Sequence, residues 1–151
     1  MSAFATSSPR AWKVEPPLQV LVKLSLPRDT ASVSVSRRIV RAALVALGVA
    51  EDVRYDLELA LTEACSNVVK HASASDDYEV TIGIEDARCV IDVLDTGHGY
   101  DERSVQAAMP NPNAEEGRGL HIIRMLTDNV RLAPNAKRGT IMHFEKKLAW
   151  T

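Results

Sequence analysis

The chain has 151 residues, of which 46% are hydrophobic and 25% are charged, and its formal net charge is −2. This length and composition are typical of one soluble domain with a hydrophobic core, and 151 residues are too few for a two-lobed eukaryotic protein kinase. The small net charge gives no electrostatic reason to expect a nucleic acid or a membrane surface as a partner. The N-terminal residues lack the apolar region of a signal peptide, so we expect none, and no apolar run approaches the ~20 residues that span a bilayer.

The predicted elements begin after a tail. Residues 1–17 contain Ser, Pro and scattered charges without periodicity, which predicts a flexible tail before a single domain over 18–148. Beyond it, alternating apolar residues predict strands, and apolar residues at helical spacing predict helices. In chain order we predict a strand over 18–26, helices over 32–47 and 51–72, strands over 78–85 and 89–94, a short helix near 102–109, a helix over 119–126, and strands over 129–132 and 139–147.

The order of these elements indicates a fold class. The helices lie between strands without a regular strand–helix–strand repeat, which predicts an α/β sandwich with a mixed sheet. The irregular stretch 95–118 is longer than most connections within a compact domain, and such loops are commonly lids over active sites. Cys65 and Cys89 fall within a predicted helix and strand, so we expect small buried thiols that are reduced in a cytoplasm. No cysteine or histidine spacing typical of a metal site occurs.

Two polar residues on the helix over 51–72 are the first candidates for chemistry. Glu63 and Asn67 are four residues apart, so their side chains lie on one face of the helix. An amide oxygen is a suitable ligand for Mg²⁺, and a carboxylate beside it can orient or deprotonate a nucleophile. On this spacing alone, an ordinary polar pair on a solvated helix face is the better interpretation.

A second candidate segment follows an apolar strand. Asp95 ends that strand and precedes Gly97 and Gly99, which permit a close approach of the backbone to a ligand. An ionised Asp only accepts hydrogen bonds, so it suits an exocyclic amine such as that of adenine. A glycine-rich turn with a capping Asp is an equally good interpretation.

The third candidate segment, Glu116–Leu120, leads into the predicted helix over 119–126. The free N–H groups of a helix N-terminus form a phosphate-binding cradle, although a flexible hinge before a helix gives the same pattern. Thr140 opens the last predicted strand, where its hydroxyl could contact a base. The motifs of P-loop NTPases, eukaryotic protein kinases and α/β-hydrolases are absent from the sequence.

Taken together and in this order, the three segments resemble the motifs of the GHKL ATPase superfamily, whose members share the Bergerat fold. LTEACSNVVKHA (residues 61–72) resembles its N box, IDVLDTGHGYD (91–101) its first glycine box and EEGRGLHII (115–123) its second. The resemblance covers nearly the whole chain and is best to the small, single-domain anti-sigma-factor serine-protein kinases of bacteria, which are RsbW-like. It implies a two-layer α/β (α+β) sandwich with a mixed, mostly antiparallel sheet covered on one face by helices.

The resemblance also implies a role for each matching residue. Glu63 would be the general base, Asn67 the Mg²⁺ ligand and Asp95 the acid that reads adenine. The implied cofactors are ATP and Mg²⁺, beneath a lid over about 100–116. The remaining ATP-binding residues would be Gly97, Gly99, Gly117, Arg118, Gly119, Leu120 and Thr140.

The resemblance implies a cytoplasmic homodimer, formed through the strand over 18–26 and the following helix, that binds a sigma factor and phosphorylates a serine of an anti-anti-sigma protein with a STAS domain. Direct contact with nucleic acid or membrane is not expected.

One departure from the family pattern leaves a second function open. Kinase members often carry an arginine shortly before the second glycine box, whereas residues 113–116 read Asn-Ala-Glu-Glu here, and Arg118 could supply the guanidinium instead. The alternative is a nucleotide-gated anti-sigma switch without phosphoryl transfer. The detached ATPase domain of a histidine kinase is favoured less, because residues 1–17 do not predict a phospho-acceptor helix and the predicted lid is short.

Overall fold

In a computed structural model of the chain, residues 19–71, 77–95, 115–134 and 139–151 are described. The elements they form are, in chain order, β1 (Val20–Pro27), α1 (Thr30–Ala46), α2 (Glu51–His71), β2 (Asp77–Glu85), β3 (Arg88–Asp95), α3 (Glu115–Leu126), β4 (Asn129–Pro134) and β5 (Thr140–Lys147). The predicted tail over 1–17, the predicted short helix near 102–109 and most of the predicted lid lie outside the described residues.

One sheet carries the fold, with strand order β1-β2-β3-β5-β4 and antiparallel pairing between all neighbours among the described strands. Side chains alternate between the two faces of the sheet, so every second residue of β2 and β3 is buried. A tight turn joins these two strands, and its residues Asp86 and Ala87 both have positive φ, at 51° and 60°. This is the geometry of a type I′ hairpin, whose twist matches that of the flanking strands.

Helices cover one face of this sheet, and α2 packs against both α1 and α3. The architecture is the predicted two-layer α/β sandwich, but the sheet that was predicted to be mixed is antiparallel at every pairing among the described strands. Cys65 and Cys89 are free thiols buried in the core, as predicted, and burial raises their pKa values to about 11 and about 12. The largest fully buried side chains between the layers include Val40, Leu44, Leu57, Leu61, Tyr78, Ile91, Ile123 and Phe144.

Two helices begin earlier than the sequence predicted. α1 starts two residues earlier because the side chain of Asp29 caps it, accepting a hydrogen bond from the Ser32 backbone N–H at 2.9 Å. α3 starts at Glu115 rather than Gly119, so that Gly117 and Gly119 both lie inside the helix. Glycine is about 1 kcal/mol less favourable than alanine in a helix, which packing against α2 outweighs here. Among the described helices, none combines the length and apolar composition that crossing a membrane requires.

Candidate functional site

The Glu63–Asn67 pair faces the start of α3. Both residues lie on α2, one turn apart, and both are half-buried. A Cβ atom placed on Gly119 would lie 3.2 Å from Glu63 Oε2 and 3.2 Å from both Oδ1 and Nδ2 of Asn67. The two side chains therefore converge on one point of the α3 backbone and do not form an ordinary pair on an open helix face.

Gly119 allows this close approach because it has no side chain. A Cβ at 3.2 Å would be tighter than nearly all real contacts of that atom, so any other residue would displace the ends of Glu63 and Asn67. The N–H groups without an intrahelical partner belong to the first turn of α3, which precedes Gly119 and contains Gly117. A phosphate cradle at this helix would therefore be formed by the turn before Gly119.

A pocket opens next to this pair, between α2 and the ends of β3 and β5. Asp95 and Thr140 stand directly opposite each other in the β3–β5 pairing, and each is 5% exposed. The pocket is thus lined by Asn67, Asp95 and Thr140, three predicted site residues on three different elements, and otherwise by apolar side chains. An apolar wall with a few convergent polar groups is the usual composition of a small-molecule site. The residues lining the pocket are Ala64, Asn67, Val68, Val93, Asp95, Leu132, Thr140 and Met142.

The other predicted contacts are placed differently. Arg118 is exposed near the start of α3, whereas Leu120 is buried in the core, so only the backbone of Leu120 is available to a ligand. Gly97 and Gly99 lie outside the described residues. The last two residues of the predicted lid, 115–116, are the first two residues of α3.

Arg28, which was not among the predicted site residues, contacts Asp95. Its Nη2 donates to Oδ1 of Asp95 in an ion pair between side chains that are 6% and 7% exposed. Its Nε and Nη1 are buried without a hydrogen-bond partner among the described residues. No local pattern marks this arginine, because its partner is 67 residues away along the chain.

Buried hydroxyl and thiol groups connect α1, β2 and α2 beside Asp95. Tyr78 is the β2 residue opposite Asp95, and its hydroxyl lies 2.7 Å from that of Ser32. The Ser36 hydroxyl lies 3.6 Å from Sγ of Cys65, which is two residues before Asn67. Burial raises the pKa of the Tyr78 phenol, so this group stays neutral. These contacts join α1 to β2 and to α2, the helix that carries Glu63 and Asn67.

The polar groups near Gly119 include possible ligands for a cation. No group of three or more His, Cys, Asp or Glu side chains in the described part of the chain forms a metal site. Asn67 offers a neutral oxygen and Glu63 a carboxylate at the same point. Mg²⁺ commonly takes one or two protein ligands and completes its octahedron with phosphate and water oxygens. The residues present therefore fit Mg²⁺ that is held mainly by a nucleotide.

The fold and the grouping of these residues define a class of domain, the two-layer α/β domain with a Bergerat-type fold. Residues 26–146 match the family of histidine kinase-like ATPase domains. The chain belongs to this family.

Several known relatives are named serine-protein kinase RsbW, which confirms the predicted resemblance. The protein from Bacillus cereus (strain B4264) is 27% identical over 121 residues, covering 74% of this chain and 76% of that protein. The protein from Bacillus anthracis (strain CDC 684 / NRRL 3495) is 26% identical with the same coverage. The solved RsbU and RsbW domains of Rv1364c from Mycobacterium tuberculosis match with a TM-score of 0.67 at 19% identity. That match covers 85% of this chain and 32% of the other, so this chain spans about a third of it, and the likeness concerns the fold.

Proposed function

We propose that this chain is an anti-sigma factor that binds ATP with Mg²⁺ and phosphorylates a serine of an anti-anti-sigma protein with a STAS domain. Acting in the cytoplasm, it would control transcription by holding or releasing a sigma factor. The relatives named serine-protein kinase RsbW support this proposal. The observation that carries it is the convergence of Glu63 and Asn67 on Gly119, beside the pocket that contains Asp95 and Thr140.

In this proposal the pocket binds adenine. The apolar wall, which includes Val93 and Met142, contacts the faces of the base, and Asp95 accepts a hydrogen bond from its 6-amino group. Thr140, opposite Asp95, supplies a hydroxyl at the same edge. The phosphates extend toward the first turn of α3, whose unpaired N–H groups suit anions. Asn67 lines the pocket and also faces Gly119, so it lies between the base and the phosphates.

Phosphoryl transfer also needs a group that accepts the proton of the attacking hydroxyl. Glu63 takes this role, because its carboxylate lies at the α3 end of the site beside Asn67. As the serine oxygen of the partner forms a bond to the γ-phosphorus, Glu63 accepts the serine proton. The bond from that phosphorus to the β–γ bridging oxygen breaks, and ADP leaves. Mg²⁺, when bound, neutralises phosphate charge, and the N–H groups of α3 stabilise the charge that develops.

The test is to incubate the protein with labelled ATP, Mg²⁺ and a STAS-domain partner and to measure label on the partner. Wild type should transfer label to a serine of the partner, and Glu63→Gln should be slower by about 10²–10⁴-fold, the usual contribution of a general base. Glu51→Gln, which changes an exposed carboxylate at the start of the same helix, is the matched control and should transfer label at the wild-type rate. If wild type binds the partner but transfers no label to it, the kinase proposal is wrong.

The second candidate function is a nucleotide-gated anti-sigma switch. The acidic residues 115–116, without an arginine just before them, favour it. In this case ATP changes the affinity for a partner by stabilising one arrangement of α3, and no phosphoryl group moves. Two variants in cells separate the functions. If Glu63→Gln still controls its partner and Asp95→Asn does not, the chain is a switch and not a kinase.

The proposed homodimer uses β1 and α1. Among the described strands, β1 pairs only with β2, and Leu21 on this edge strand is 66% exposed. An exposed edge with apolar side chains favours association with another chain. Light scattering should give the mass of two chains for wild type, and Leu21→Glu should shift the protein toward one. A monomeric wild type at all accessible concentrations would remove this part of the proposal.

A further inference from the structure

The ion pair between Arg28 and Asp95 is unusual in its burial and its incomplete hydrogen bonding. Both side chains are almost fully buried. Within the described residues, the guanidinium leaves Nε and Nη1 without acceptors. Buried ion pairs contribute little net stability, because desolvation offsets their attraction, and unmade hydrogen bonds make the balance worse. Stability is therefore a poor explanation for an arginine at this position.

Arg28 lies at the junction between β1 and α1. It lies between Pro27, the last residue of β1, and Asp29, the cap of α1. Pro27 is paired with Asp77 on β2, so the guanidinium reaches Asp95 from the β1–β2 side of the sheet. On the other side of Asp95, its β5 neighbour lines the pocket with it. The carboxylate thus stands between a fixed cation and the space that would hold a base.

We propose that Arg28 is a positioning residue that keeps the Asp95 carboxylate oriented toward the pocket, and that it thereby sets the preference for a 6-aminopurine. This inference rests on the proposed binding of ATP. An ionised, fixed carboxylate accepts a hydrogen bond from the 6-amino group and has nothing to offer a base without that group. Without the Arg28 guanidinium the Asp95 side chain would lose the contact that fixes its orientation, which weakens its discrimination between bases.

The test compares two nucleotides, ATP and purine riboside triphosphate, which lacks the 6-amino group. Dissociation constants are measured by calorimetry with Mg²⁺ present. Wild type should prefer ATP by about 10- to 100-fold, the usual range for a hydrogen bond to a charged group. In Arg28→Gln this preference should fall by at least about fivefold. Arg28→Lys should lie between the two, because an ammonium keeps the charge but not the planar geometry of a guanidinium.

Two controls separate positioning from general damage. Arg38→Gln removes an exposed arginine of α1 and should keep the wild-type preference. Asp95→Ala removes the acceptor and should abolish the preference, and adding Arg28→Gln to it should change the ratio no further, because the two residues act on the base as one unit. Arg28→Lys keeps the test available if Arg28→Gln does not fold.

The possible outcomes are distinct. If Arg28→Gln and Arg28→Lys weaken both nucleotides equally and keep the wild-type ratio, Arg28 is only structural and the inference is wrong. If the wild-type protein binds ATP and the analogue equally well, Asp95 does not read the amine and the inference fails while ATP binding stands. If wild type binds neither nucleotide, the proposed function itself fails and the inference falls with it.

Discussion

Replacing Gly119 by alanine is the most direct test of the site geometry. The new methyl carbon would lie 3.2 Å from Glu63 Oε2 and 3.2 Å from both polar atoms of the Asn67 side chain. Ordinary van der Waals contact begins at 3.4 Å, so these neighbours must move by a few tenths of an ångström. The atoms that must move are the ends of flexible side chains and not backbone atoms. We therefore expect the two side chains to be displaced and the helices to remain packed.

The two measurable effects of this substitution differ in size. Alanine is about 1 kcal/mol more favourable than glycine inside a helix, and the strain of a modestly overpacked contact is of similar size. The free energy of unfolding should therefore change by less than about 1 kcal/mol, which corresponds to about 4 °C in Tm for a domain of this size. Disturbing the groups that orient a metal-binding site commonly lowers metal affinity or activity by about 10–100-fold. Mg²⁺-dependent ATP binding should accordingly weaken by at least about tenfold.

Calorimetric titration with ATP, with and without Mg²⁺, and thermal unfolding of the same samples measure both effects. Gly83→Ala is the matched control, because a Cβ there would lie 3.9 Å from the nearest atoms, the carbonyl oxygens of Val20 and Val90. The control should bind ATP as wild type does. The reasoning is refuted if Gly119→Ala binds Mg²⁺-ATP as tightly as wild type. A loss of more than about 3 kcal/mol of stability would also contradict it, since the helices would then have separated.

Three further predictions concern stability and reactivity away from the site. A hydrogen bond from His143 holds the pKa of Glu145 below its ordinary value of 4.5, so the stabilisation is present above that value and is lost as pH falls through the folded-state pKa. Glu145→Gln should therefore be less stable than wild type at neutral pH in chemical denaturation, and the difference should vanish in acid. The thiol of Cys89, whose pKa burial raises to about 12, should resist alkylation in the folded protein and react after denaturation, and rapid native labelling would contradict this. Phe144→Ala, in the fully buried core, should lose about 3–5 kcal/mol in the same denaturation assay, and a loss below about 1 kcal/mol would contradict its assigned position.

The features of this protein that could be predicted are those that depend on residues close together in the sequence. α2 was predicted to within one residue, because its apolar spacing, its length and its polar pair all lie in one continuous segment. The strands β2 and β3 were predicted nearly as well, because alternation is also a local property. The pairing of Asp95 with Thr140 follows from sheet register, but periodicity gives no information about which strands are neighbours. The resemblance to a family assigned both residues to ATP binding, but the pairing itself was not predicted.

The features that were missed depend on contacts between distant parts of the chain. Arg28 looks like an ordinary charged residue after a strand, and only the fold brings it to Asp95. The early start of α3 was missed because two glycines in five residues indicate a loop when propensity alone is considered. In the structure, this helical position suits glycine because Glu63 and Asn67 of the neighbouring helix occupy the place where a side chain would lie. Its lack of a Cβ, and not its conformational freedom, is what this position uses.

The start of α3 also changes what the acidic residues before the second glycine box indicate about phosphoryl transfer. In the sequence, residues 115–116 fall in a predicted lid, where negative charge near a transferred phosphate would oppose the reaction. In the structure they are the first two residues of α3. Acidic residues are favoured in the first turn because a helix N-terminus carries partial positive charge. Helix formation alone is thus a sufficient reason for their presence, so they argue less strongly for the switch. The choice between kinase and switch then depends on Glu63, whose carboxylate faces Gly119 in either case. The rate at which Glu63→Gln transfers label decides it.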